Sequence, residues 1–275
     1  QFDSQIVVQN AIGGADNFVL MAVPFFILAG EFMNAGGLSR RIVEMAGAFV
    51  GHLRGGLGYV AIFAAILLAS LSGSAVADTA ALAAILVPMM RQAGYDPERA
   101  CGLMAAGGII APVIPPSIGF LLFGVVANLS ITRLFLAGIM PGVMMGGSLV
   151  IAWWLVSRRA SVQVAPRTPW PERLALLGKG FWALMLPVII IGGLKFGIFT
   201  PTEAAVVAAA YALFVGAAIY RELTPAAVYH CLLVTARTTA VVLLLASLAM
   251  VASYMITIAD VPGQVGGWLS GLGEH

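Results

Sequence analysis

Charge is scarce in this chain. Only 9% of its 275 residues are Asp, Glu, Lys or Arg, and the formal net charge is +2. A soluble domain could not stay folded with so little charge while 61% of its residues are hydrophobic, because its interior could not hold that much apolar surface. The same shortage excludes nucleic acid as a partner. The basic residues stand scattered between apolar runs, where loops flanking membrane spans account for them. Cysteine is nearly absent too: Cys101 and Cys231 lie far apart in apolar sequence, which supports buried thiols rather than a disulfide or a metal site. The three histidines share no ligand spacing, so no transition metal and no resident cofactor are expected.

Hydrophobic runs fill the rest, at 18–36, 56–90, 97–128, 131–157, 181–199, 201–219 and 238–259. Spanning helices need about 20 apolar residues, and these runs lack strand alternation. The expected fold class is therefore an all-α integral membrane protein, a multi-span helical bundle. Cytoplasmic loops concentrate Lys and Arg. With 158–180 inside, every basic residue except Arg133 and Lys195 falls on that side, on one condition: 56–90 must enter and leave by the same face. Each half of that run is about sixteen residues, short for a full crossing. The segment reads as a re-entrant helical hairpin with the tip SGSAVAD.

Non-helical backbone at membrane depth is tolerated only where it is buried in protein or lines a watery cavity. At this tip the first half-helix is expected to end near Leu71 with bare carbonyls, and the second to start near Ala75 with bare amides. One end attracts cations and the other anions. Ser72 and Ser74 add hydroxyl oxygens, and Gly73 permits the turn. Close helix packing by small residues explains the same stretch equally well.

A second interruption follows. In "YDPERA", Asp96 reads as N-cap, Pro97 as the first helical residue and Glu98 as a first-turn acid. Further on, "GGIIAPVIPPSIGF" places Pro112, Pro115 and Pro116 in one span. Each proline removes the donor for the carbonyl four residues earlier, so Gly108, Ala111 and Pro112 lose their helical partners. One proline usually means a repaired kink. Three within five residues argue for unwinding, the arrangement by which secondary transporters hold Na⁺ and anionic groups at mid-membrane.

The stretches "VPFFILAGEFMNAGGLSRRI", "GHLRGGLGYV", "SLSGSAVADTAALAAILVPMM", "GYDPERACGLMAAGGIIAPVIPPSI", "LFLAGIMPG" and "GIFTPTEAAVVAAAYAL" resemble the large membrane subunit of tripartite ATP-independent periplasmic (TRAP) transporters, the DctM-like family. The resemblance implies an elevator-type, inverted-repeat, Na⁺-coupled importer of organic acids in the bacterial inner membrane. It also implies a periplasmic substrate-binding protein and a small four-helix membrane subunit as partners, beside membrane lipid and a small anionic substrate. By the same resemblance Ser72, Gly73 and Ser74 with the carbonyls of Ala111, Ile114 and Pro116 form a Na⁺ site. Substrate is then expected beside it, at Ser74, Asp78, Thr79, Pro115 and Ser117. The proline bookkeeping adds Gly108 and Pro112 to the ion's candidates. The family's second repeat carries its own hairpin and broken helix after a span like 238–259, so the chain is expected to be a piece of a longer subunit that also lacks a first helix.

The expected organisation is a first span and interfacial arm helix (1–54, the arm at 36–54), a transport-type domain (55–130), a span (131–160), a Pro-rich cytoplasmic linker (161–180) and the start of a second repeat (181–275), where 227–237 repeats the arm. Glu31 is expected to pair with Arg40 or Arg41 or to reach the interface. Asp78 suits the dipole of the second half-helix, and Thr200 or Thr202 with Pro201 and Glu203 starts a helix. An intramembrane serine enzyme is disfavoured, since no His or Lys stands where a base is needed. Another ion-coupled anion transporter of elevator architecture, or a channel-like scaffold, stays open as the alternative.

Overall fold

The computed structural model describes residues 4–158 and 166–272, and their regular structure is helical throughout. In chain order the helices are α1 (Ser4–Ala15), α2 (Ala22–Ala35, preceded by a 3₁₀ turn Phe18–Met21), α3 (Leu38–Val50), α4 (Gly56–Ser72), α5 (Ala75–Gln92), α6 (Pro97–Gly108), α7 (Ile118–Val126), α8 (Ile131–Ser157), α9 (Trp170–Lys195), α10 (Pro201–Phe214, continued by a π-helical turn Val215–Ile219), α11 (Pro225–Ile258) and α12 (Val261–Leu272). Among the described residues, five segments are long and apolar enough to cross a membrane: Phe18–Ala35, Ile131–Ser157, Trp170–Lys195, Pro201–Ile219 and Pro225–Ile258. Neither α4 nor α5, the two legs of the expected hairpin, is among them.

α2 is the hub, packing on α10, α11 and α4. The face of α10 that carries Ala204, Ala205, Ala208 and Ala212 is buried, so the two backbones approach closely without a hydrophobic driving force. Phe26 of α2 meets Phe135 of α8 edge-on at 6.3 Å between ring centroids. α3 is the expected amphipathic helix. It buries Leu38, Ile42, Val43 and Ala46 while Arg40 and Glu44 pair on its exposed side at 3.4 Å. It packs between α4 and α9.

Several expectations need correction. Residues 161–165 of the linker lie outside the described residues, but helix α9 already begins at Trp170. Pro169, Trp170 and Pro171 with Glu172 in the first turn are a helix start, which a reading that took proline only as a breaker overlooked. Residues 227–237 form no separate arm. Thr224 caps α11 through the Ala227 amide, Pro225 follows, and nothing interrupts the helix until Ile258. Its 34 residues reach about 50 Å, well beyond a hydrocarbon core of about 30 Å. α1 was not expected. Its sequence, with a Gly-Gly pair and β-branched residues, is a poor helix former, yet Ser247 of α11 donates a hydrogen bond to the Ala11 carbonyl (2.6 Å) and Gly14 lies against Met250. Cys231 is buried as expected, whereas Cys101 is exposed. Glu31 meets neither arginine: Arg41 and Arg40 reach Glu222, at 2.8 and 3.5 Å.

Candidate ion and substrate site

The hairpin turns where two local rules agree. Gly73 closes α4 with φ +62, a conformation that costs a residue with a side chain about 1–2 kcal/mol. Ser74 is extended and caps α5, its hydroxyl accepting from the Ala77 amide at 3.4 Å. The Ser72 side chain lies outside what the structure describes. Asp78 sits in the first turn of α5, buried, one helical turn after Ser74, and its amide donates to the Ser74 carbonyl.

The second interruption spans residues 109–117. α6 starts as read, with the Asp96 carboxylate accepting from the Glu98 amide at 3.1 Å and Pro97 in the first turn. It ends at Gly108, and α7 begins only after Ser117, whose fully buried hydroxyl accepts from the Phe120 amide and donates to the Pro112 carbonyl at 2.5 Å.

The two interruptions touch. A β-carbon on Gly73 would collide with the Pro116 carbonyl oxygen, and one on Gly108 would collide with the Thr79 hydroxyl. Two glycines therefore bring the hairpin tip, the start of α5 around Thr79 and the unwound stretch into one cluster. α8 backs it from the far side. Gly138 lies against the Val113 carbonyl and the Phe120 ring, Gly142 against Ile114, and Gly146 against Ile66 of α4. That four-residue spacing is the small-residue packing of membrane helices. It was legible in the sequence and went unread.

Which carbonyls stay open is a matter of geometry. The Gly108 carbonyl accepts from the Ala111 amide (3.1 Å) and the Pro112 carbonyl from Ser117, which corrects the expectation that both are bare. Among the described residues, no hydrogen bond reaches the carbonyls of Ala111, Ile114 or Pro116, although all three residues are buried. Buried carbonyls without donors are costly in an apolar setting. A dehydrated cation relieves that cost by direct coordination. The amino-terminal ends of α5 and α7, capped by Ser74 and Ser117, supply backbone amides of the opposite polarity. The cluster thus offers oxygens for a cation beside helix ends that favour an anion. Of the residues expected near substrate, Ser117 is committed to its two structural bonds, and Pro115 is buried in the unwound stretch.

Comparison with known proteins gives a consistent picture. The model of the family described as "Tripartite ATP-independent periplasmic transporter, DctM component" matches residues 1–275. The chain is 56% identical over 264 residues to the 2,3-diketo-L-gulonate TRAP transporter large permease protein YiaN of Escherichia coli, covering 96% of this chain and 62% of that one. It is 41% identical over 268 residues to the sialic acid TRAP transporter large permease protein SiaM of Vibrio cholerae, covering 92% and 63%. It is 37% identical over 259 residues to the C4-dicarboxylate TRAP transporter large permease protein DctM of Pseudomonas aeruginosa, covering 94% and 61%. The chain therefore spans about three fifths of the length of the curated relatives it matches.

Proposed function

This chain belongs to the DctM component family of tripartite ATP-independent periplasmic transporters, and on that premise we propose that it serves in the large permease of a Na⁺-coupled importer of an organic acid in the bacterial inner membrane. The observation that carries the reading is the meeting of two interrupted helices, with the Ala111, Ile114 and Pro116 carbonyls unbonded beside the hairpin tip. Na⁺ is cargo here, held by these carbonyls with Ser72, Gly73 and Ser74. Gly108 and Pro112 contribute at most their second lone pairs, since each already accepts one hydrogen bond.

Bound cation orders the tip against the unwound stretch and sets positive charge beside the amide ends of α5 and α7. A carboxylate of the substrate gains from both, near Ser74, Asp78 and Thr79. Ion and substrate then favour each other, which is coupling in the thermodynamic sense. The body holding both, residues 55–130 with α8 packed against it, moves across the bilayer, while residues 18–54 and the spans from α9 onward stay fixed.

A periplasmic binding protein delivers the substrate and a small four-helix subunit completes the membrane complex. The named relatives handle a keto sugar acid, sialic acid and C4-dicarboxylates, which supports an organic acid as substrate class without choosing among them. The test is uptake by the complete complex in liposomes. Replacing external Na⁺ by K⁺ should abolish uptake, and so should substituting an unrelated binding protein. Uptake indifferent to Na⁺ contradicts the coupling; uptake without any binding protein favours a channel.

A further inference from the structure

Away from the interrupted helices, an apolar cleft of about 710 Å³ opens between the start of α6 and the end of α8. Its walls include Leu103, Leu149, Leu155 and Val156, and Arg99 and Arg158 stand at its margin. Both arginines lie on the side that the distribution of basic residues makes cytoplasmic. The Arg158 guanidinium is stacked 3.7 Å over the centroid of Trp154, a half-exposed aromatic of the kind found at the membrane interface. Arg99 has a competitor, since its Nε faces the Asp96 carboxylate at 3.5 Å. That pair is half exposed and 3.5 Å long, so it is weak and a phosphate can displace it.

Two arginine forks over apolar walls match an amphiphile whose head carries a phosphate and whose body is hydrocarbon. We propose that this cleft binds an anionic phospholipid of the cytoplasmic leaflet, of the phosphatidylglycerol class. The headgroup phosphate bridges Arg99 and Arg158, and an acyl chain lies along Leu103, Leu149 and Val156. Basic pockets between spans on the cytoplasmic side are where anionic headgroups gain most from the membrane's own charge. A free organic acid is a poorer match, because four aliphatic side chains offer its polar groups no partner. The bound lipid ties the start of α6 to the end of α8, at the end of the molecule where Trp153 already hydrogen-bonds Gly55 at the start of α4.

The test uses the full-length permease in phosphatidylcholine nanodiscs with added phosphatidylglycerol, reading retained lipid by mass spectrometry of the intact protein and the thermal midpoint in parallel. Wild type should retain phosphatidylglycerol in preference to phosphatidylcholine. Arg99→Gln and Arg158→Gln should each weaken that retention roughly fivefold, with an unchanged midpoint in pure phosphatidylcholine. Arg158→Lys should restore part of it. Equal retention of the two lipids, or full retention by the Gln double variant, overturns the proposal. Inorganic phosphate that stabilises as well as phosphatidylglycerol also overturns it, by marking a free-anion site. The readout involves neither Na⁺ nor uptake, so it fails independently of the transport reading.

Discussion

Thr79, one turn into the second hairpin leg, places its hydroxyl where a β-carbon on Gly108, the last residue of α6, would stand. The contact joins two helices that both stop short within the apolar region, and it leaves no room for a methyl group. Gly108→Ala should therefore push α5 from α6, destabilising the permease by about 1–3 kcal/mol, as overpacking does. Uptake should fall more than the loss of folded protein explains. Adding Thr79→Ala, which removes the obstructing hydroxyl, should restore stability in thermal unfolding.

Gly73 and Gly94 separate strain from function. Both adopt positive φ (+62 and +84), but a β-carbon would collide with the Pro116 carbonyl only at Gly73, while Gly94 faces open space. Alanine at either position should cost about 1–2 kcal/mol for the left-handed conformation. Only Gly73→Ala should also displace a carbonyl assigned to the ion. Its apparent Na⁺ affinity in uptake should drop at least tenfold, with that of Gly94→Ala unchanged.

Arg41 anchors the amphipathic helix α3 through three contacts: the Gly37 carbonyl at 2.9 Å, Glu222 at 2.8 Å and the face of Tyr220 at 3.8 Å. The Tyr220 hydroxyl donates in turn to the Lys179 carbonyl at 2.6 Å, and burial holds its pKa above the ordinary phenol value against the pull of Arg41. Arg41→Gln should cost about 1–2 kcal/mol, the pair being partly exposed. Arg41→Lys should rescue little, because an ammonium neither stacks like a guanidinium nor offers its fork. A double-mutant cycle with Glu222→Gln, read by thermal unfolding, checks the coupling.

Trp153 controls the start of the hairpin. Its buried indole nitrogen donates to the Gly55 carbonyl at 2.8 Å, and the ring stacks on Tyr95 at 6.0 Å and covers Gly58. Trp153→Phe leaves that carbonyl unsatisfied and should cost about 1–3 kcal/mol. Faster amide exchange across residues 55–58, with α11 unaffected, is the expected signature.

The hairpin was legible because two short halves flanked a Ser-Gly-Ser tip and the arginines agreed on one side. The broken helix was legible because three prolines cannot all be repaired in one span. The identity of the open carbonyls was hidden in part. Proline bookkeeping counts lost helical donors, but it cannot foresee that the Ser117 hydroxyl reaches back to Pro112 or that the Ala111 amide turns onto Gly108. The start of α9 and the unbroken run of α11 were misread for a different reason. Pro169 and Pro171 were weighed as breakers although they open a helix, and 227–237 was taken as a repeat of the arm where no residue interrupts the helix. α1 forms through its contacts with α11, which no local pattern announces.

The most direct test of the central claim is Na⁺ binding to the purified full-length permease, read as cation-dependent thermal stabilisation with K⁺ at equal ionic strength as the reference. The account predicts that Na⁺ raises the midpoint of the wild type above its value in K⁺, and that Gly73→Ala combined with Ser74→Ala erases the difference. Identical midpoints in Na⁺ and K⁺ for the wild type would contradict it.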